Sequence, residues 1–134
     1  MFLSELNELE KNYFLDLCIL VAKANNELAL EEKNLIQAYC GEMQIPPRAD
    51  FSSNLEPLEK INTYFASASE HIKKIVLLEL LGLTYADSQY DATEDAFLRQ
   101  LAENIQLSKD IYEQLHHAIR NYYEVCRDLT LIVQ

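Results

Sequence analysis

Between Ile75 and Leu98 the chain carries five carboxylates, Glu79, Asp87, Asp91, Glu94 and Asp95, with no lysine or arginine among them. Carboxylates spaced along a loop and followed by one inside a helix can converge on a hard cation. Asp87, Asp91 and Glu94 have that spacing, and Glu32 holds the equivalent place at an earlier acidic bend. A Ca²⁺, Mg²⁺ or Zn²⁺ ion is the cofactor these residues could hold. The bend is not an EF-hand. Counting from Asp87, Ala92 and Leu98 stand where that loop needs glycine and glutamate. The same residues also have a plainer use, because Asp91-Ala-Thr-Glu94 is a capping box and acids favour a helix N-terminus. Caps are far commoner than cation cages, so capping is the first reading and the cation the second. Ala29 has no side-chain acceptor, and for Glu32 the helix dipole is explanation enough.

The other residue types with chemistry to offer are more scattered. His116 and His117 are adjacent, so on a helix they point about 100° apart and do not share a ligand; both are read as surface residues. Of the three histidines only His116 has a Glu-x-x-His partner, Glu113. A di-metal carboxylate site needs that pair twice. Tyr112, Tyr122 and Tyr123 read as edges of the core. Cys18, Cys40 and Cys126 are odd in number, and the first two fall in helical apolar rows as small hydrophobes. Glu79 lies within the most apolar helix, where its carboxylate pairs with a basic or tyrosyl group, stays protonated, or is carried to water by rotation of that helix, and the last is the expectation. No phosphate loop, dinucleotide fingerprint or nucleophile motif occurs, and the chain is expected not to be an enzyme.

These residues must be positioned by helices, because apolar side chains recur at helical spacing almost throughout. A first helix is expected over about 5–24, with Leu6, Leu9, Tyr13, Leu17 and Leu20 on one stripe. A second spans about 30–43 and is stopped by Gly41 and Pro46-Pro47. A third, capped through Ser53 and Glu56, runs to about 66. The fourth, about 69–85, is apolar nearly all round and belongs at the centre of the fold. The fifth covers about 92–104, and Ser108 caps the sixth. The last residues, Leu129-Thr-Leu-Ile-Val133, are β-prone and read as a tail that packs back or frays.

Shifting the chain by 62 residues lays 13–45 on 75–107 and superposes Leu15 on Leu77, Ala24 on Ala86, Glu32 on Glu94 and Gln44 on Gln106. The expected fold is thus all-α: one domain over 1–134, a bundle of six or seven helices built from two pseudo-repeated helix–loop–helix hairpins. Each hairpin carries alanine, then Asp or Asn, two residues, a hydrophobic, three more and Glu: Ala24-Asn25-Asn-Glu-Leu28 to Glu32, and Ala86-Asp87-Ser-Gln-Tyr90 to Glu94. This resembles the TerB family of tellurite-resistance-associated proteins, whose pattern is Ala-Asp-Gly-x-Ile-x-x-x-Glu. The hairpin is also similar to the N-terminal region of some membrane-anchored DnaJ-type co-chaperones. The resemblance covers about half of the chain and implies an all-helical stress-response or interaction module whose acidic loops hold divalent cations. Asn25 replaces the family aspartate in the first copy, and Asn26 and Ser88 replace the glycines.

Composition narrows the partners. The 134 residues include 22 acidic and 11 basic side chains, a formal charge of −11. Nucleic acid and anionic membrane surfaces require a basic footprint and are poor partners, so neither nucleic-acid binding nor direct membrane insertion is expected. The apolar run 75–86 is too short to span a bilayer, which takes about 20 residues. The opening residues are acidic from Glu5 on, the opposite of a signal peptide, and the cysteines suit a reducing compartment. The expectation is a cytoplasmic, non-catalytic module with a protein partner, with or without a metal.

Overall fold

A computed structural model describes residues 1–25, 28–48, 51, 55–85 and 91–134, Asn25 by its backbone alone. They form six α-helices: α1 (Glu8–Ala22), α2 (Leu30–Glu42), α3 (Leu58–Ala66), α4 (Glu70–Thr84), α5 (Ala92–Asn104) and α6 (Lys109–Val133). Short 3-10 turns, Leu3–Glu5 and Lys23–Asn25, flank α1. No strand occurs among the described residues.

Local chemistry accounts for the helix starts. Asn7 and Glu10 close a reciprocal capping box on α1, each accepting the other's amide at 2.9 Å. Ser69 caps α4 through the Ile72 amide, and Ser108 caps α6 through that of Ile111. Pro57 is the residue before α3, where its missing N–H is harmless. Ser53, expected as that helix's cap, lies outside the described residues.

Neither Gly41 nor a proline stops α2. The helix runs through Gly41 and ends because Gln44 turns left-handed, with φ of 57°. The Ile45 N–H then bonds the Cys40 carbonyl and the Gln44 N–H that of Gly41, a Schellman closure. α5 ends the same way: Gln106 has φ of 63°, the Leu107 N–H bonds Ala102, and the Gln106 N–H bonds Glu103. The bounds of α1 and α4, of α2 and α5, and these two left-handed glutamines are each separated by 62 residues. A left-handed conformation strains any side chain with a Cβ by about 1–2 kcal/mol. Gln44→Gly and Gln106→Gly are each expected to raise stability by about 1 kcal/mol after glycine's larger unfolded-state entropy is subtracted. Urea unfolding measures this, and the gain should add in the double variant.

α4 is the axis of the fold and touches every other α-helix. Val76, Leu77, Leu80, Leu81 and Leu83 are sealed from solvent, facing Phe14, Leu17 and Ile19 of α1, Ile36 of α2, Phe65 of α3 and Leu98 of α5 in one continuous core. Cys18 and Cys40 are buried there and free, and burial pushes both thiols up, so they are inert.

Three expectations fail. Leu9 and Tyr122 stand exposed; their helices turn those positions outward. The segment 129–133 is not a β-prone tail, because it continues α6 as one 25-residue helix about 37 Å long. Helix propagation adds a hydrogen bond per residue once the helix exists, which outweighs the weak β preference of Thr130, Ile132 and Val133. Glu79 does not reach water. Its carboxylate is buried on α4 and accepts from the Met1 ammonium at 2.7 Å and the Phe2 amide at 3.1 Å. Glu42 binds the same segment through the Met1 ammonium at 3.2 Å and the Leu3 amide at 3.0 Å. Burial works against the charge of that ammonium, but the two carboxylates outweigh it and raise its pKa. The buried side chains of Leu3 and Leu6 extend the docking into the core.

Candidate functional site

At the second acidic bend, Asp87 lies outside the described residues. Asp91 is the N-cap of α5: one carboxylate oxygen accepts the Thr93 amide at 2.8 Å and the Glu94 amide at 3.0 Å. Glu94 is buried in the first turn of the same helix. Glu32 is buried in the first turn of α2 and accepts the Ala29 amide at 3.1 Å. That is half of a capping box, since alanine offers no reciprocal acceptor. Glu32 therefore does more than complement the helix dipole. It satisfies an amide that would otherwise lack a partner. The structure brings Asp91 and Glu94 to one helix start and puts Glu32 at another. No group of three or more His, Cys, Asp or Glu side chains able to hold a metal occurs among the described residues.

A second, unexpected constellation stands where α5 meets α6. His116 is not a surface residue; it is buried, and Nε2 lies 2.7 Å from the Tyr85 hydroxyl at the end of α4. Nδ1 lies 3.4 Å from Oδ1 of buried Asp95 on α5. Tyr112 donates its hydroxyl proton to that same oxygen at 2.8 Å. The other oxygen, Oδ2, takes the Arg99 Nε–H at 2.8 Å, and Arg99 also pairs with Glu113. The Arg99 guanidinium lies 4.8 Å over the Tyr112 ring, a cation–π contact. Four elements of local sequence meet here: the C-terminus of α4, the first turn of α5, Arg99 one turn on at i+4 from Asp95, and the i, i+3, i+4 row Glu113, His116, His117.

Burial lowers the His116 pKa below 6.5, against the opposing pull of Asp95. The folded state thus prefers the neutral ring, and the unfolded chain takes up its proton first as pH falls. Stability is full above about pH 6.5 and declines as pH falls through that value toward the lower folded one. His116→Gln, which keeps an acceptor for Tyr85, should flatten the unfolding free energy between pH 7.5 and 5.5. An unchanged slope would show that the ring titrates alike in both states.

Sequence reading missed this cluster because its members lie 31 and 21 residues apart across three helices. The legible trace is Glu113-x-x-His116, which in the sequence reads only as half of a di-metal motif. His117 is exposed, as expected, and is held by Arg120 and Asn121 on its own helix.

Among the described residues no helix is long and apolar enough to cross a membrane. Comparison of the chain with family models, with curated proteins and with solved structures gives no match.

Proposed function

We propose that the chain is a cytoplasmic, TerB-like helical module built from two duplicated hairpins, whose work is to bind a protein partner and not to catalyse. The duplication is supported by the common 62-residue offset of helix bounds and left-handed caps. The binding role rests on one observation. Tyr122, Val125, Leu129, Ile132 and Val133 follow one another along one side of α6, and all are about half exposed or more. Soluble proteins seldom leave such a strip bare unless something docks on it. Spacing of i, i+3, i+7, i+10 suits the groove or helix face of a partner. A photo-crosslinking amino acid at position 125 is expected to yield one discrete adduct in cells. The adduct should vanish in Leu129→Asp/Ile132→Asp and persist when Lys74 is changed to alanine. No adduct from 125 or 129 overturns the reading.

The acidic bend is the second place to test. Asp87, Asp91, Glu94 and Glu32 are the candidate ligands of a divalent cation, and Asp91 and Glu32 would bind one only by giving up part of their capping role. If they do, millimolar Ca²⁺, Mg²⁺ or Zn²⁺ raises the melting temperature, and Asp87→Asn/Glu94→Gln abolishes the rise. A melting temperature unmoved by all three ions overturns the cation reading and leaves Asp91 and Glu32 as caps alone.

A further inference from the structure

Three of the four arginines of this acidic chain, Arg99, Arg120 and Arg127, line a single cleft of about 600 Å³ between α5 and α6. Glu113 and Glu124 share the lining, with His116 and Tyr85 in its wall. Three guanidinium groups against Glu113, Glu124 and the Asp95 that underlies Arg99 leave the cleft close to neutral, in a chain of formal charge −11. Against so negative a background, a neutral cleft carrying two arginines outside the Asp95–Arg99–Glu113 network, Arg120 and Arg127, repels an anion less than the rest of the surface does. The volume falls in the range of small-molecule sites.

The wall is stiff. Arg99 is fixed at Nε by Asp95 and at a terminal nitrogen by Glu113, and Asp95 is in turn held by Tyr112. His116 and Tyr85, both more than nine-tenths buried, hold each other at 2.7 Å and present polar atoms from below. Arg120 and Arg127 are exposed two turns apart on α6; Arg120 bonds His117 at 3.2 Å, and Arg127 forms no ion pair among the described residues. A fixed polar floor beside exposed guanidinium groups matches a planar or tetrahedral oxyanion, which arginine grips through paired N–H donors. Glu113 and Glu124 can only accept hydrogen bonds, so they suit hydroxyl or amino groups beside that oxyanion.

We infer that the α5–α6 cleft is a binding site for a small polar metabolite with one phosphate or carboxylate head and a hydroxyl- or amino-bearing body. The test is calorimetric titration of the full chain, at low salt, with inorganic phosphate, glycerol 3-phosphate and succinate. At least one probe should bind with Kd of about 1 mM or tighter. Arg120→Ala/Arg127→Ala should weaken that binding by about ten-fold or more without moving the melting temperature, since both side chains are exposed. Lys33→Ala, elsewhere on the surface, should leave it unchanged. Binding of the two phosphates and not of succinate assigns a phosphate head, and the reverse a carboxylate. No binding of any probe at about 10 mM overturns the inference, as does equal affinity in the double arginine variant.

Discussion

Asp95→Ala is expected to cost about 2–4 kcal/mol of unfolding free energy, a drop of roughly 10 °C in melting temperature. The carboxylate is buried and answers three groups at once: Tyr112 at 2.8 Å, Arg99 at 2.8 Å and His116 at 3.4 Å. Alanine leaves the buried tyrosine hydroxyl without its acceptor, at a cost of about 1–3 kcal/mol. It also frees Arg99, whose side chain is 40% exposed and recovers part of the loss from water. Asp95→Asn should fall between the two, because an amide oxygen still accepts from Tyr112 while the negative charge beside Arg99 is gone. Thermal and urea unfolding of the three proteins measures the order. If Asp95→Ala stays within about 0.5 kcal/mol of the parent, the cluster is a surface network and contributes little.

The second large effect concerns the axis of the bundle. Leu80→Ala should cost about 2–5 kcal/mol, the lost transfer energy plus a cavity that packed neighbours only partly refill. Leu80 is wholly inaccessible in the middle of α4, where five other helices converge. Leu129→Ala, on the exposed strip of α6, removes the same atoms from the same residue type. Its cost should stay near zero, since about half of that side chain already faces water. Comparing the two by urea unfolding distinguishes core from docking surface without any knowledge of a partner. A costly Leu129→Ala would place the end of α6 in the core.

Helical periodicity made the order of the helices legible and their number to within one, six or seven, because the same i, i+3, i+4 spacing that marks them in the chain is what buries one side of each. The all-round apolar row from Ile75 to Leu83 likewise predicted which helix would be central. Ser108 and Asp91 were legible as caps, since a cap bonds amides two or three residues away and needs nothing remote. The capping role of Glu32 was half legible: its neighbour Ala29 hid a bond that needs only the alanine's backbone amide.

What the sequence alone could not decide is how helices face each other. Glu79 and His116 look like surface residues on composition, and each is buried because a group far along the chain answers it. Met1, 78 residues away, meets Glu79, and Asp95 and Tyr85 meet His116. Conversely, Leu129 and Ile132 lie in a segment that reads as a tail packing back or fraying, and they stand bare on the last turns of α6. A charge enters a core, or an apolar side chain leaves it, according to its neighbours in space. Periodicity names the stripe along a helix, and only the packing of all six determines what that stripe meets.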